Sequence, residues 1–236
     1  MTVPDRVLAV TAHPDDVDFG AAGVIRSWTS AGVAVTYCVC TSGEAGRSSG
    51  TSAAEGAALR RDEQEAAARA VGVRGVRFLD LPDGQLTADL ALRREITAVI
   101  REVRPQIVLT HTPEFNWTNP ALLHPDHRAV GEAATAAVYP DARNEFAHPQ
   151  LLERGLRPWT VAELWLSEAP PERVNRAVDV TEHFDAKLAA LRAHKSQTGH
   201  LDDLEGFMRG HLADNAGRRG LPEGRLAEVF HVVATA

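Results

Sequence analysis

The chain has 236 residues, 44% of them hydrophobic and 24% charged, an ordinary globular composition. A formal charge of −7 with no long basic run argues against nucleic acid or an anionic membrane as partner. No stretch reaches the roughly 20 apolar residues that span a bilayer, and MTVPDRVLAV lacks the layout of a signal peptide, so neither is expected.

RVLAVTA, at 6–12, reads as a buried strand, and 21–32 as a helix stopping near Gly32. VAVTYCVC, at 33–40, is a second strand. Its Cys38 and Cys40 face the same way, with Cα atoms roughly 6.5–7 Å apart in an extended strand. That separation is at or beyond the limit for a disulfide, so both read as small buried residues, which suits a reducing cytoplasm. A glycine- and serine-rich loop leads to a helix over 58–72 that stops at Gly72, and then to a strand over 76–80. Leu92, Ile96, Val99, Ile100 and Val103 form one apolar helical stripe within 89–105. IVLT, at 107–110, is a fourth strand, and Val130, Ala133, Ala134, Ala137 and Val138 mark another helix. Beyond 140 the pattern weakens. Strands are expected at 161–166, 176–181 and 226–234, with a helix over 182–197. The stretches 140–160 and 196–225 show no clear period and read as mobile or partner-binding.

Alternating strands and helices imply an α/β fold: a Rossmann-like, mainly parallel sheet with helices on both faces. A C-terminal extension adds further strands and a helix. No linker is apparent, so one domain is expected over 1–236, with a core over 1–140 and a substrate-side extension over 141–236. Ligands of such sheets bind beyond the carboxyl ends of the strands.

Two short stretches put chemistry there. HPDD, with His13, Asp15 and Asp16, follows the first strand, and HPDH, with His124, Asp126 and His127, follows the fourth. Either alone also reads as a proline turn or a capped helix start. Together they bring imidazoles and carboxylates to one edge of the sheet. One Asp and two His can hold a zinc-type metal with a position left for water. A further carboxylate can act as general base, and a further histidine can hold an oxyanion or protonate a leaving amine. A histidine in the first turn of a helix, as His127 is expected to be, is kept neutral by the helix dipole. DFGAAG lacks the first glycine of a dinucleotide fingerprint, and TSGEAGRSSG lacks the lysine of a P-loop. Ser42 lacks a nucleophile elbow and reads as a loop residue.

AHPDD, TSGEAG, RRDE opening a helix that ends in VG, and HPDH, in this order and spacing, resemble the LmbE-like, or PIG-L, N-deacetylase family. That family includes deacetylases of mycothiol, bacillithiol and glycosylphosphatidylinositol precursors. The stretch DVTEHFDAKLAALRAHKSQ extends the resemblance more weakly. The resemblance implies one Zn2+ per chain, held by His13, Asp16 and His127. It makes Asp15 the general base, His124 the group at the oxyanion or the departing amine, and Asp126 its orienting partner. Arg60, with Glu63 following it, is expected to contact substrate, although a solvated helix face is an equal reading, and Glu44 is expected either to line the site or to be a plain loop residue. His194 reads as a core or cap histidine. Where some relatives carry a mobile tyrosine before HPDH, this chain has Trp117 and Asn119. The implied function is hydrolysis of the acetamide of an N-acetylglucosaminyl conjugate, in a protein that often forms homo-oligomers. A larger-amide hydrolase and a non-catalytic sugar-binding protein are the alternatives.

Overall fold

The computed structural model describes residues 4–118 and 120–236. In chain order its main elements are β1 (Arg6–Thr11), α1 (Asp16–Ser30), β2 (Ala34–Thr41), α2 (Ala53–Ala70), β3 (Gly75–Leu81), α3 (Leu90–Val103), β4 (Ile107–His111), α4 (Pro125–Ala136), α5 (Pro149–Glu153), β5 (Glu163–Ser167), β6 (Arg176–Asp179), α6 (Phe184–Ala193), α7 (Lys195–Thr198), α8 (Leu204–Arg218) and β7 (Ala227–Ala234). The described strands form one seven-stranded sheet in the order β3-β2-β1-β4-β5-β7-β6. β1 to β5 run parallel, while β7 pairs antiparallel with β5 and with β6. The expected α/β architecture is therefore present, and the C-terminal extension supplies its antiparallel edge.

Parallel strands covered on both faces need apolar side chains at nearly every position. In β1, Val7 and Ala9 enter one core while Leu8 and Val10 enter the other. The first core is closed by α1, α2, α6 and α8, and the second by α3 and α4. None of the described helices is long and apolar enough to cross a membrane.

Two boundaries differ from the sequence expectation. α1 begins at Asp16 rather than 21, because HPDD is itself the helix start, with Asp15 at the N-cap. α2 begins at Ala53 inside the expected loop, started by a capping box in which Ser52 and Glu55 each satisfy the other's backbone N–H.

The two stretches without a clear period are built into the body of the fold. α8 buries Leu204, Met208, Leu212 and Ala216 along one narrow line. Over 140–160, the buried Arg101 guanidinium donates to the carbonyls of Asp141, Ala142, Asn144 and Ala147 and ties the segment to α3.

Candidate active site

β1 lies between β2 and β4, so the chain leaves neighbouring strands in different directions and opens a crevice at their carboxyl ends. The loop after β1 delivers His13, Asp15 and Asp16. β4 ends on His111, and the connection after it delivers His124, Asp126 and His127 at the start of α4. α4 comes this close because residue 131 is glycine. A Cβ there would stand 2.6 Å from the His111 carbonyl oxygen and 2.9 Å from the Pro113 nitrogen. HPDD and HPDH thus converge.

Asp16 is the hub. Its Oδ1 lies 3.1 Å from His127 Nε2, and its Oδ2 lies 3.5 Å from His13 Nδ1 and 3.2 Å from His111 Nε2. Asp16 Oδ2 also accepts the His13 backbone N–H at 2.7 Å, which closes the loop on itself. Each outer imidazole nitrogen meets another carboxylate. His13 Nε2 stands 3.0 Å from Asp83 and 3.2 Å from Asp126. The Nδ1 atoms of His111 and His127 share Glu168 Oε2 at 3.0 and 3.2 Å, with the two rings stacked 4.1 Å apart.

These contacts set the charges. Burial opposes protonation of His13, but hydrogen bonds to Asp16 and Asp83 outweigh it and raise its pKa to about 10. Burial likewise opposes His127, and the charges of Asp16 and Glu168 raise it to about 11. The carboxylates therefore override the helix dipole that was expected to keep His127 neutral. Against the cost of burial, His111 and His127 hold Glu168 down to about 2, and the imidazoles hold Asp16 well below the usual carboxylate range. Asp15 moves the other way. Burial first, then the charge of Asp16, push it up to about 7 against the pull of Arg60.

The remaining expected residues fall as follows. Asp15 occupies the left-handed region at φ 88°, a conformation that costs a non-glycine residue roughly 1–2 kcal/mol. The Arg60 guanidinium is buried, donating to the carbonyls of Gly43 and Pro14 at 2.9 and 2.6 Å and to Asp15 Oδ2 at 3.2 Å. Glu44 Oε1 accepts the Asp83 N–H at 2.9 Å, and Asp83 Oδ2 accepts the Ala45 N–H at 2.8 Å, so the two loops clasp each other. His124 caps α4, its Nδ1 accepting the Asp126 N–H at 3.2 Å. Burial, then the charges of His13 and His127, lower its pKa. The Asp126 carboxylate itself accepts the N–H groups of Gly84 and Leu86 at 2.7 and 3.1 Å and faces His13. At the rim, Phe115 and Trp117 stack 5.2 Å apart, with Arg128 4.0 Å over Phe115. Asn119 lies outside the described residues.

Sequence reasoning passed over His111, Asp83 and Glu168. Each sits at or just past the carboxyl end of a strand, which was the one signal available for it.

The donor set fits a divalent metal. Ligand atoms about 2.1 Å from a tetrahedral ion stand roughly 3.4 Å from one another; Asp16 Oδ1 lies 3.1 Å from His127 and its other oxygen, Oδ2, lies 3.5 Å from His13. Nitrogens of His13, His124 and His127 lie within 4.8 Å of one another, as do ligand atoms of Asp16, His111 and His127. The carboxylates behind the rings stand where outer partners orient the imidazoles of metal sites.

A mainly parallel sheet carrying such a cluster at its switch point defines a metal-hydrolase-like α/β protein. Residues 8–138 match the family model described as PIG-L: GlcNAc-PI de-N-acetylase, and the chain belongs to this family. A diacetylchitobiose deacetylase of Thermococcus kodakarensis is 34% identical over 193 residues, covering 81% of this chain and 70% of the relative. A probable N-acetyl-alpha-D-glucosaminyl L-malate deacetylase 2 of Bacillus cereus is 34% identical over 201 residues, covering 82% and 84%. Among solved structures, the N,N'-diacetylchitobiose deacetylase of Pyrococcus horikoshii superposes with a TM-score of 0.88 at 29% identity, covering 98% of this chain and 85% of that one.

Proposed function

We propose that this protein is a zinc-dependent N-deacetylase that hydrolyses the acetamide of an N-acetylglucosaminyl conjugate to acetate and a free amine. The observation that carries the reading is the meeting of His13, Asp16 and His127 with a second, buried carboxylate, Asp15, whose pKa is raised to about 7. Relatives named as deacetylases of diacetylchitobiose and of N-acetyl-alpha-D-glucosaminyl L-malate support the substrate class. Exposed Trp117 and its stacked neighbour Phe115 add an apolar ring face at the rim, of the kind that packs against a sugar. Buried, unpaired Cys38 and Cys40 fit the cytoplasm we assign to it.

His13, Asp16 and His127 would hold the metal, which when bound supplies a water of lowered pKa and polarises the amide carbonyl. Asp15 takes a proton from the water as oxygen adds to the carbonyl carbon, a role suited to a group titrating near neutrality. The His124 Nδ1 accepts a backbone N–H, so its Nε2 carries the proton that a developing oxyanion can receive as a hydrogen bond. The carbon–nitrogen bond then breaks, and the amine leaves with the proton that Asp15 accepted. Arg60 acts through Asp15, since its guanidinium is engaged by that carboxylate and two carbonyls, and Glu44 acts through the Asp83 loop.

The test is acetate release from N-acetylglucosaminyl compounds by zinc-loaded protein. Asp15→Asn keeps its metal and loses about 10²–10⁴-fold in kcat. Absence of amide cleavage by metal-loaded wild type across that panel overturns the reading, and longer acyl chains in the panel separate it from a larger-amide hydrolase.

A further inference from the structure

The motifs RRDEQ and AHKSQ lie far apart in sequence, and neither supplies an atom to the cluster around Asp16. They meet behind the HPDD loop. Arg60 and Gln64 are one turn apart on α2 and so share a face. Arg60 holds Pro14 O and Asp15 Oδ2, while Gln64 Oε1 accepts the Asp15 backbone N–H at 2.9 Å. Gln64 Nε2 donates to Asp18 Oδ2 at 2.8 Å, and His194 Nε2 meets the same oxygen at 2.8 Å. Gln64, Asp18 and His194 are all 0% exposed. Between Arg60 and Gln64, Glu63 accepts the backbone N–H of Ser196 at 2.8 Å and its hydroxyl at 2.6 Å, so α2 is fixed to the AHKSQ segment on the same side.

We infer that Gln64, backed by Asp18 and His194, is a positioning residue that holds Asp15 in its left-handed backbone conformation and so aims the Asp15 carboxylate. This rests on the general-base role proposed for Asp15. The polarity of the chain of bonds is what makes it specific. Only the carbonyl end of the amide can accept from Asp15, and only its NH₂ end can donate to Asp18. Simple packing would tolerate any side chain of similar volume at position 64. Fixing a backbone N–H requires this amide in this orientation, with an acceptor behind it. A buried N–H left unpaired costs enough to release a strained residue toward ordinary backbone conformations.

The experiment is a polarity swap read by two methods. Gln64→Glu keeps shape and the acceptor for Asp15 but sets a carboxylate against Asp18. Asp18→Asn keeps an acceptor for Gln64. In the double variant, the amide introduced at position 18 donates to the carboxylate introduced at position 64, and His194 accepts through its other tautomer. The first readout is hydrogen exchange of the peptide containing Asp15 in zinc-loaded protein, which needs no substrate. The second is kcat and KM for acetate release from N,N'-diacetylchitobiose, with bound metal measured alongside. The expected result is fast exchange at Asp15 in Gln64→Glu. With it come a kcat loss of about 10²-fold, the scale of a misplaced catalytic group, a near-constant KM and full metal content. Asp18→Asn stays close to wild type, and the double variant recovers both slow exchange and kcat. Slow exchange and full kcat in Gln64→Glu overturn the inference, as does a double variant that regains thermal stability but not kcat. If Gln64→Glu does not fold, Gln64→Ala removes the amide without adding charge. It must then accelerate exchange at Asp15 while the core strands stay protected, and uniform protection overturns the inference. Wild type inactive on this substrate removes the functional reading and leaves the exchange result to stand by itself.

Discussion

On one side of the first turn of α1 lie Asp18, Glu228, Lys187 and His194, none more than 2% exposed. On the other lie four carboxylates, Asp16, Asp83, Asp126 and Glu168, interleaved with His13, His111, His124 and His127. Both are groups of buried acids, and their cations differ. In the sealed group, Lys187 Nζ donates to Glu228 at 2.8 Å and to the carbonyls of Asp18 and Phe19 at 2.8 and 2.7 Å. Glu228 completes its shell with the N–H groups of Gly23 and Val24. That site carries its own lysine, held in an ion pair. The open group has no lysine or arginine on Asp16, which faces imidazoles instead, and of these His13 and His127 have pKa values driven up to about 10 and 11. A permanent cation marks a structural cluster. Titratable groups pressed into that role mark a place built for a cation from outside.

The largest effect is expected where the internal cation is removed. Lys187→Met leaves Glu228 charged and buried without its partner, which costs about 3–5 kcal/mol by denaturant unfolding. Adding Glu228→Gln should regain part of it, because the unpaired charge is gone and the amide oxygen still accepts one of the Gly23 and Val24 N–H groups. A loss of under about 1 kcal/mol, the range of an exposed pair, would erase the distinction between the two groups.

A smaller effect is expected at the outer edge of the open group. Glu168 orients His111 and His127 through one oxygen. Glu168→Gln should weaken zinc binding about 10–100-fold, as loss of an outer carboxylate does, while the unfolding midpoint of chelator-stripped protein moves little. Competition with a chromophoric chelator measures the first and thermal melting the second.

The two groups were also unequally legible. HPDD and HPDH stood out because several ligand-type residues fall within four positions of one another after a strand. His111, Asp83 and Glu168 stand alone in LTHT, LPDG and LSEA, contexts that also read as strand end or turn, and His111 finds Glu168 only across 57 residues of sequence. The sealed group left less trace: Asp18 precedes the helix expected at 21–32, and Lys187 and Glu228 each stand far from it in sequence, until the sheet order brings β7 against α1. The central strands were readable because burial on both faces demands apolar runs. α8 was not, because its buried line at 204, 208, 212 and 216 is one residue wide. The neutral His127 expected from the helix dipole did not follow, since Asp16 and Glu168, supplied by other elements, raise its pKa.

The most delicate consequence concerns protons. In the folded, cation-free chain, His13 and His127 have pKa values raised from 6.5 to about 10 and 11. Folded protein therefore binds more protons than unfolded protein between those limits, and stability falls as pH rises there. The contribution of these imidazoles is complete below about 6.5 and lost through 10 and 11. Asp15, raised from 3.8 to about 7, adds a loss of the same sign between those values. A metal ligand must be neutral imidazole, so zinc has to displace the protons. Titrating zinc into chelator-stripped protein at pH 7.5 should release protons, visible as a binding enthalpy that changes with the ionisation enthalpy of the buffer. Zinc-loaded protein should then lose the alkaline decline in stability that the stripped protein has. A buffer-independent enthalpy would mean that the imidazoles are already neutral, and that the open group balances its acids by some means other than borrowed protons.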